Sequence, residues 1–326
     1  MKNDLVQFKN LKTYFYTEEG IVKAVNDVSF KIKEKETVCV VGESGCGKSI
    51  TAMSLLRLIP NPPGKIVGGE IYFKGKNILE LSDEEIRDIR GNKISMIFQE
   101  PMSSLNPVFT IGNQIQESLI LHKGMMPDEA KKAAIEMIKI VGIPRAEKIA
   151  DSYPHELSGG MRQRAMIAMA ISCNPELLIA DEPTTALDVT IQAQILDIMR
   201  DLKEKLNMSI MLITHDLGVV AEMADYVVVM YAGKVIEEAN VLEIFSNPMH
   251  PYTIGLLKSK PIITEEQERL YSIPGQVPSP IGMPECCYFC ERCDKAMEIC
   301  KEKQPPLKYG RDGHKVACWL YNKEEE

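Results

Sequence analysis

The chain has 326 residues, of which 45% are hydrophobic and 26% charged, a composition typical of one large globular domain or two smaller ones. Its net charge of −8 disfavours a general nucleic-acid binder, because such proteins usually carry a basic face. The amino terminus lacks the apolar stretch of a signal peptide, and no apolar run is long enough to cross a bilayer. We therefore expect a cytosolic chain that reaches a membrane only through a partner. In that compartment clustered thiols bind metal more often than they form disulfides.

The first hundred residues alternate apolar and polar side chains, which predicts β-strands. The stretches are LVQFKNLKTYF at 5–15, KAVNDVSFKI at 23–32, GEIYFKGKNI at 69–78 and KISMIFQ at 93–99. The valine-rich run ETVCVV at 36–41 predicts a buried strand, followed by a glycine-rich loop and a helix over about 48–58 that Pro60 ends. Residues 112–142 space their apolar side chains three and four apart, which indicates a helical insertion.

From residue 160 onward helical and strand patterns alternate, which favours a mostly parallel sheet covered by helices. The pattern predicts helices at 160–173, 190–206 and 216–223, and strands at 177–180, 209–213 and 225–231. Five prolines between 259 and 284, the first of them Pro261, predict an extended connector ahead of a cysteine-rich tail that ends in the acidic run KEEE. We therefore expect one domain at 1–258 and a second region at 259–326.

The segment GESGCGKS, Gly42 to Ser49, fits the phosphate-loop pattern G-x-x-x-x-G-K-[ST] between a predicted strand and a predicted helix. The glycines permit turns that direct consecutive N–H groups at phosphate, while Lys48 reaches the β- and γ-phosphates and the Ser49 hydroxyl ligates Mg²⁺. A chance glycine-rich turn is the alternative, which the flanking elements disfavour. The candidate nucleotide-binding residues are Gly42, Glu43, Ser44, Gly45, Cys46, Gly47, Lys48, Ser49 and Ile50. The position of Cys46 near a helix amino terminus further predicts a lowered thiol pKa.

Two adjacent carboxylates end the apolar run ELLIADEP at 176–183. A buried strand would place Asp181 and Glu182 at the carboxyl edge of the sheet, where α/β proteins bind their ligands. We expect Asp181 to hold the Mg²⁺ shell and Glu182 to polarise the attacking water. The alternative is that these residues merely end a strand.

The segment LSGGMRQR, Leu157 to Arg164, stands shortly before these carboxylates. With it the chain resembles the nucleotide-binding subunits of ABC (ATP-binding cassette) transporters, whose signature is LSGGQ; Met161 takes the glutamine position. The resemblance covers about residues 5–258. It implies an α/β cassette with a mostly parallel P-loop core, an antiparallel β subdomain and a helical subdomain at about 100–158. It also implies that Ser158, Gly159 and Gly160 meet the γ-phosphate of the nucleotide held by another subunit.

The other motifs of that family occur in order. In MIFQEP, Gln99 resembles the glutamine that touches Mg²⁺ and the attacking water. In TALD, Asp188 resembles the loop that crosses to the partner, and in LITHD, His215 resembles the histidine that contacts the γ-phosphate. The resemblance therefore implies an ATPase whose ATP, bound with Mg²⁺, lies at a dimer interface. Opening and closing of that interface would then drive a membrane partner.

In this family an aromatic ring stacks on adenine ahead of the phosphate loop. Motif register in LKTYFYT assigns that role to Phe15. Tyr14 and Tyr16 flank it and remain alternatives.

Longer segments resemble the D-type ATPase of dipeptide and oligopeptide importers: VGESGCGKS, FQEPMSSLNP, HELSGGMRQRAMIAMAI and NPMHPYT. This resemblance implies a peripheral subunit on the cytoplasmic face of the membrane, with two membrane permease subunits docking at about residues 100–125. A second ATPase of the F type, or a homodimer of the isolated chain, and an external peptide-binding protein would complete the system, with no nucleic acid. Importers of nickel, glutathione or oligosaccharides, and a soluble ABC ATPase with a redox-sensing tail, are the alternatives.

Six of the nine cysteines lie between 286 and 318. Cys287, Cys290 and Cys293 begin like a bacterial ferredoxin run, but Met297 stands where the next cysteine would be. No complete zinc pattern is present either, although His314 leaves zinc open as an alternative.

The importer resemblance instead implies a [4Fe–4S] cluster on Cys287, Cys293, Cys300 and Cys318, with Phe289 and Arg292 also matching. Cys286 and Cys290 are extra to that pattern. We expect a structural cluster that fixes the tail to the cassette or its partner. Cys293 would lie just before a helix that Asp294 caps.

Overall fold

The computed structural model describes residues 3–100, 104–185, 187–259, 271–310 and 313–321. These residues form two compact units. The helical unit comprises Asn3, Lys33–Glu36 and the described part of Glu80–Ile213, and the sheet unit comprises Asp4–Ile32, Thr37–Leu79 and the described residues from Thr214 onward. Within these residues no helix has the length and apolar character needed to span a membrane.

The strands and helices are numbered here in chain order. The strands are β1 (Asp4–Thr17), β2 (Gly20–Lys33), β3 (Thr37–Val41), β4 (Gly64–Phe73), β5 (Lys76–Asn77), β6 (Ile94–Ile97), β7 (Leu177–Asp181), β8 (Ser209–Ile213), β9 (Tyr226–Tyr231), β10 (Lys234–Asn240), β11 (Lys308–Tyr309) and β12 (Lys315–Val316). The helices are α1 (Lys48–Leu55), α2 (Asp83–Ile89), α3 (Ile111–Lys123), α4 (Pro127–Ile140), α5 (Ala146–Ala150), α6 (Gly159–Ile171), α7 (Val189–Leu206), α8 (Leu217–Met223), α9 (Val241–Ser246), α10 (Pro251–Lys258) and α11 (Glu298–Glu302).

The helical unit contains the parallel strands β6, β7 and β8, with β7 in the middle. Every residue of β7 and β8 is buried, which explains their nearly continuous apolar sequences LLIAD and SIMLI. The helix α7 presents a buried stripe of Ile195, Leu196, Met199 and Leu202. The parallel core expected of an ABC cassette is therefore confirmed, and the predicted strands at 177–180 and 209–213 agree with β7 and β8 to within one residue.

The predicted helical insertion at 112–142 consists of two helices. Gly124, in the left-handed conformation with φ of 63°, ends α3, and Pro127 occupies the first turn of α4. Glycine commonly ends a helix and proline commonly begins one, so the sequence contained the signal for this break. Residues 101–103 of the predicted helical subdomain lie outside the described residues, and its limits at about 100–158 stay a prediction.

The sheet unit contains the expected antiparallel subdomain, a four-stranded sheet in the order β2-β1-β4-β5. Val6 pairs with Phe73 and Phe15 with Gly64 along β1 and β4. The other strands of this unit follow the order β11-β12-β10-β9-β3, in which β3 and β9 are parallel. The phosphate-loop segment therefore follows a fully buried strand that pairs with the valine-rich strand β9.

The cysteine-rich tail joins this unit through strand pairing, because Val316 on β12 pairs with Glu237 on β10. Cys293 follows a short 3₁₀ helix at Cys290–Arg292. It lies outside α11, as expected, but five residues before its start and not directly before it. The predicted cap Asp294 is wrong: the residue directly before α11 is Met297. The connector residues 260–270, which include Pro261, and the acidic end at 323–326 lie outside the described residues. The division after residue 258 stays a prediction.

Candidate functional site

The phosphate loop is so closely packed that two of its glycines leave no room for a side chain. A Cβ on Gly42 would lie 2.2 Å from the Met230 carbonyl oxygen, and a Cβ on Gly47 would lie 2.2 Å from the Ala24 carbonyl oxygen. Gly47 also has a φ of 95° and stands immediately before α1. Close packing thus fixes the loop backbone in a tight turn that leads directly into α1. The N–H groups of such a turn and of the helix amino terminus can bind phosphate oxygens together.

Lys48 is buried, and its ammonium group donates hydrogen bonds to the carbonyl oxygens of Gly42 and Glu43, at 2.8 and 3.0 Å. The adjacent Cys46 is buried as well. Burial raises the pKa of the Cys46 thiol, and the neighbouring Lys48 ammonium opposes that rise only partly. The expectation of a lowered thiol pKa at this helix terminus is therefore wrong, because desolvation is the larger effect.

Glu43 connects the phosphate loop to the tail. Its carboxylate accepts two hydrogen bonds from the Arg292 guanidinium, at 2.7 and 3.0 Å, and its N–H donates to the Tyr252 hydroxyl at 2.8 Å. These partners lie more than two hundred residues away along the chain. Sequence reasoning found Glu43 only as a loop position and did not find its pairing.

The aromatic residues ahead of the loop differ in their surroundings. The Tyr14 hydroxyl donates to the Asn26 side chain at 3.0 Å, and the Phe15 ring lies against Gly64. Tyr16 is 51% exposed. Tyr14 is thus held by a hydrogen bond, Phe15 is half-buried, and Tyr16 is exposed.

In the helical unit, Asp181 is the buried last residue of β7 and Glu182 follows it in the left-handed conformation, with φ of 46°. One Glu182 carboxylate oxygen accepts hydrogen bonds from the Gln99 amide and the Thr185 hydroxyl, each at 3.0 Å. The Glu182 N–H donates to the Ile213 carbonyl oxygen at 2.9 Å. The structure therefore brings the predicted base and the predicted glutamine into direct contact.

The signature loop forms the amino terminus of α6. The Ser158 hydroxyl accepts a hydrogen bond from the Met161 N–H at 3.4 Å, and Asp188 caps α7 by accepting one from the Ile191 N–H at 3.0 Å. A cavity of about 540 Å³ is bounded by both loops, with Ser158, Gly159, Gly160 and Asp188 among its lining residues. These four predicted nucleotide contacts thus share one surface. Ala186, within the same predicted motif as Asp188, lies outside the described residues.

His215 follows β8 by two residues and is exposed. The next residue, Asp216, accepts a hydrogen bond from the Gly218 N–H at 2.7 Å and caps α8. His215, the predicted γ-phosphate contact, thus lies at the surface in a short turn that leads into α8.

The four tail cysteines assigned to a cluster are electrostatic neighbours. Burial raises the pKa of Cys287 to about 12 and that of Cys318 to about 11, and each of these thiols is close enough to Cys300 for a further rise. Cys293 is a neighbour of Cys300 as well, and the Cys287 N–H donates to the Cys300 carbonyl oxygen at 2.8 Å. In the part of the chain that the structure describes, however, no group of three or more His, Cys, Asp or Glu side chains is arranged to hold a metal ion.

A family model described as "ABC transporter" matches residues 25–185, and one described as "Oligopeptide/dipeptide transporter, C-terminal region" matches residues 236–300. The oligopeptide transport ATP-binding protein AppD of Bacillus subtilis (strain 168) is 54% identical over 98% of both chains. The oligopeptide transport ATP-binding protein OppD of the same organism is 50% identical, over 97% of this chain and 88% of its own.

The chain belongs to the ATP-binding subunits of ABC transporters, in the oligopeptide/dipeptide group. A solved structure described as the dimeric post-hydrolysis state of the ATP-binding cassette MJ0796 bound to ADP and Pi has a TM-score of 0.65 to this chain at 31% identity. The match covers 72% of this chain and 98% of that one. The ABC resemblance read from the motifs is thus confirmed, and this subunit is an ATPase of the ABC type.

In this ABC ATPase, most of the predicted site residues lie close to other predicted site residues of the same unit. The helical unit joins Gln99 to Glu182, and it joins the signature loop to Asp188. The sheet unit holds the phosphate loop in one compact turn. The sequence analysis missed the contact of Arg292 with Glu43. One signal for it was present, because Arg292 is an arginine within the cysteine cluster that matches the importer pattern.

Proposed function

We propose that this ABC ATPase uses ATP hydrolysis to energise the import of dipeptides or oligopeptides. The observation that carries the proposal is similarity over the whole chain to AppD, a protein named for oligopeptide transport. The match of residues 236–300 to an oligopeptide/dipeptide C-terminal region supports it, because that segment lies outside residues 25–185, which match the general ABC transporter family.

Uptake of a labelled tripeptide tests the proposed solute. Cells that lack their own copy of the gene should recover uptake with the natural chain but not with Lys48→Ala. Recovery of nickel, glutathione or oligosaccharide uptake in place of peptide uptake would overturn the peptide assignment and leave the ATPase role intact.

Each unit supplies a defined part of the proposed chemistry. In the sheet unit, Lys48 would bind the β- and γ-phosphates and the Ser49 hydroxyl would ligate Mg²⁺. In the helical unit, Asp181 would hold the Mg²⁺ shell and Glu182 would accept the proton of the attacking water. The hydrogen bond between Gln99 and Glu182 supports this assignment, because it orients an amide beside the proposed base.

The remaining motif residues would act on the γ-phosphate and across a dimer. His215 would contact the γ-phosphate of the same subunit, and Ser158 with its two glycines would contact the nucleotide of the partner. The placement of Ser158 at the start of α6 supports this role, because a helix amino terminus favours anionic oxygens. Phe15 would stack on the adenine.

A patch of exposed apolar side chains on and before α3 is the proposed docking surface for a permease subunit. Val108, Phe109 and Leu121 are more than half exposed. Phe109 also lines one groove together with Ile120 and Leu121. These residues, here called the α3 patch, fall within the predicted interval 100–125. Their apolar exposure supports docking, because large apolar side chains crowded at one surface usually mark an interaction site.

The proposed assembly comprises this subunit, two membrane permease subunits, an F-type ATPase and, indirectly, an external peptide-binding protein. ABC ATPases of peptide importers generally work with permeases, so the chain would be peripheral on the cytoplasmic face of the membrane. Detergent extraction of an affinity-tagged chain should recover the permeases and the second ATPase. Recovery of ribosomes or DNA instead would overturn the transport assignment.

We further propose that Cys287, Cys293, Cys300 and Cys318 hold a [4Fe–4S] cluster. These thiols are electrostatic neighbours, which suits a cubane, whose ligands stand further apart than those of one ion. Cys290 is a neighbour of Cys287 and Cys300 as well, so the choice of these four rests on the importer resemblance. Anaerobic purification should give a brown protein with absorbance near 400 nm and iron. Stoichiometric zinc without iron would overturn the cluster and favour the zinc alternative.

A further inference from the structure

The phosphate loop carries one carboxylate among its eight residues, that of Glu43. A negative charge in a loop that binds a triphosphate is unfavourable, because the nucleotide is itself strongly anionic. The Glu43 side chain is only 29% exposed, so water screens the charge of its carboxylate only in part. Its neutralisation has to come from a neighbouring cation.

Arg292 of the cysteine-rich tail is that cation. Its guanidinium forms a two-point ion pair with Glu43, at 2.7 and 3.0 Å, and the arginine side chain is only 5% exposed. Its remaining donors reach the Pro274 carbonyl oxygen at 2.9 Å and the Tyr231 hydroxyl at 3.2 Å. Contacts with the tail and the core therefore hold Arg292 in place in addition to its ion pair with Glu43.

Aromatic packing holds the same segment against the core. The Phe289 ring contacts those of Tyr231 and Tyr252, with ring centroids 5.3 and 5.5 Å apart. The Tyr252 hydroxyl accepts the Glu43 N–H, so Glu43 is held at its backbone and at its carboxylate by one cluster. Glu43, Tyr231, Tyr252, Phe289 and Arg292 are here called the Glu43 clamp.

We propose that Arg292 is a positioning residue of the nucleotide site, which anchors and neutralises Glu43 so that the phosphate loop meets the triphosphate without its own negative charge. The inference rests on the proposed role of the loop in binding ATP. In this proposal the cysteine-rich tail contributes to nucleotide binding, because it supplies Arg292. A loss of tail structure would then weaken ATP binding through one carboxylate.

The test measures dissociation constants for a non-hydrolysable ATP analogue and for adenosine in Arg292→Met, Glu43→Gln and the double variant. Arg292→Met frees the Glu43 charge, so we expect the analogue to bind about tenfold more weakly and adenosine to change less than twofold. Glu43→Gln removes the charge, and it should restore analogue binding in the double variant to within about twofold of Glu43→Gln alone. A double variant that binds as weakly as Arg292→Met would overturn the proposal.

Arg292→Lys keeps the charge but loses the two-point geometry, so its loss of affinity should be intermediate and should again disappear with Glu43→Gln. It also keeps the test decisive if Arg292→Met fails to fold. Lys315→Met is the matched control, because Lys315 forms another tail-to-sheet ion pair, with Glu238, away from the phosphate loop. Equal weakening of analogue binding in Lys315→Met and Arg292→Met would overturn the specific role of Arg292.

Lys48→Ala separates this inference from the proposed function. If Lys48→Ala binds the analogue as well as the natural chain does, the proposed nucleotide role of the loop fails, and the inference with it. If Lys48→Ala loses binding while Arg292→Met keeps it, the loop assignment stands and the role of Arg292 is overturned.

Discussion

Two glutamates near the proposed chemistry differ in what binds their carboxylates. Glu43 is paired with a guanidinium, whereas Glu182 accepts hydrogen bonds from an amide and a hydroxyl. At the scale of single residues, these contacts support two different proposed roles: an anchored carboxylate in the phosphate loop for Glu43, and proton transfer for Glu182.

Glu182→Gln should therefore abolish turnover while ATP binding persists. The amide oxygen can still accept hydrogen bonds from Gln99 and Thr185, but it cannot take a proton from water. We expect ATP hydrolysis to fall by at least about 10²-fold and the affinity for ATP to change by less than about threefold. Steady-state hydrolysis and equilibrium nucleotide binding measure the two effects, and undiminished turnover would show that Glu182 is not the base.

The close packing of the phosphate loop predicts unequal costs for two glycine substitutions. Gly47→Ala drives a Cβ into the Ala24 carbonyl and should lower the free energy of unfolding by more than about 2 kcal/mol. Gly45→Ala, with φ of 79° but no atom within 4 Å of the added Cβ, should cost about 1 kcal/mol. Denaturant unfolding compares the two, and equal costs would contradict the steric argument.

At the scale of elements, the sequence predicted helix and strand limits best where the residues that set a limit lie next to it in the chain. The limits of α6, α7, β7 and β8 agree with the prediction to within about two residues, because apolar runs and caps such as Ser158 and Asp188 lie beside them. The missed break between α3 and α4 had its own local signals in Gly124 and Pro127. The Glu43 clamp could not be predicted from the sequence, because a pairing between residues 249 positions apart depends on the fold.

The α3 patch provides the prediction for an element. Leu121→Glu places a charge on a surface proposed to dock a permease, so it should reduce copurification of the permease at least about tenfold without changing the ATP affinity of the isolated subunit. Ile140→Glu, on the neighbouring helix α4 and 49% exposed, is the matched control. Comparable loss of the permease in both variants would place the docking surface elsewhere.

At the scale of the whole molecule, stability depends on a buried histidine between the core and the tail of the sheet unit. The His250 Nδ1 accepts the Tyr252 N–H at 3.0 Å, and the His250 backbone N–H donates to the Glu237 carboxylate at 3.0 Å. The same carboxylate contacts His314. Burial lowers the pKa of His250 to about 4, and the nearby Glu237 carboxylate opposes that shift only partly. The neutral ring is therefore the form that the folded chain accommodates.

Acid should destabilise the fold through this residue. Between pH 6.5 and about 4 the unfolded chain binds a proton on His250 that the folded chain does not, so stability falls as pH is lowered through this window. The loss should reach roughly 3 kcal/mol at the low end. His250→Asn keeps an acceptor for the Tyr252 N–H and does not titrate. Its free energy of unfolding should therefore depend less steeply on pH; parallel curves for the two proteins would contradict this assignment.

The left-handed backbone of Glu182 has a consequence for evolution. A side chain other than glycine or asparagine in that conformation costs about 1 kcal/mol, so the chain is less stable than it could be at the position of its proposed base. Selection for thermal stability alone would favour glycine there, and each such variant would lose the carboxylate. Heat resistance and turnover are thus competing demands at residue 182, and only continued need for ATP hydrolysis keeps a glutamate in place.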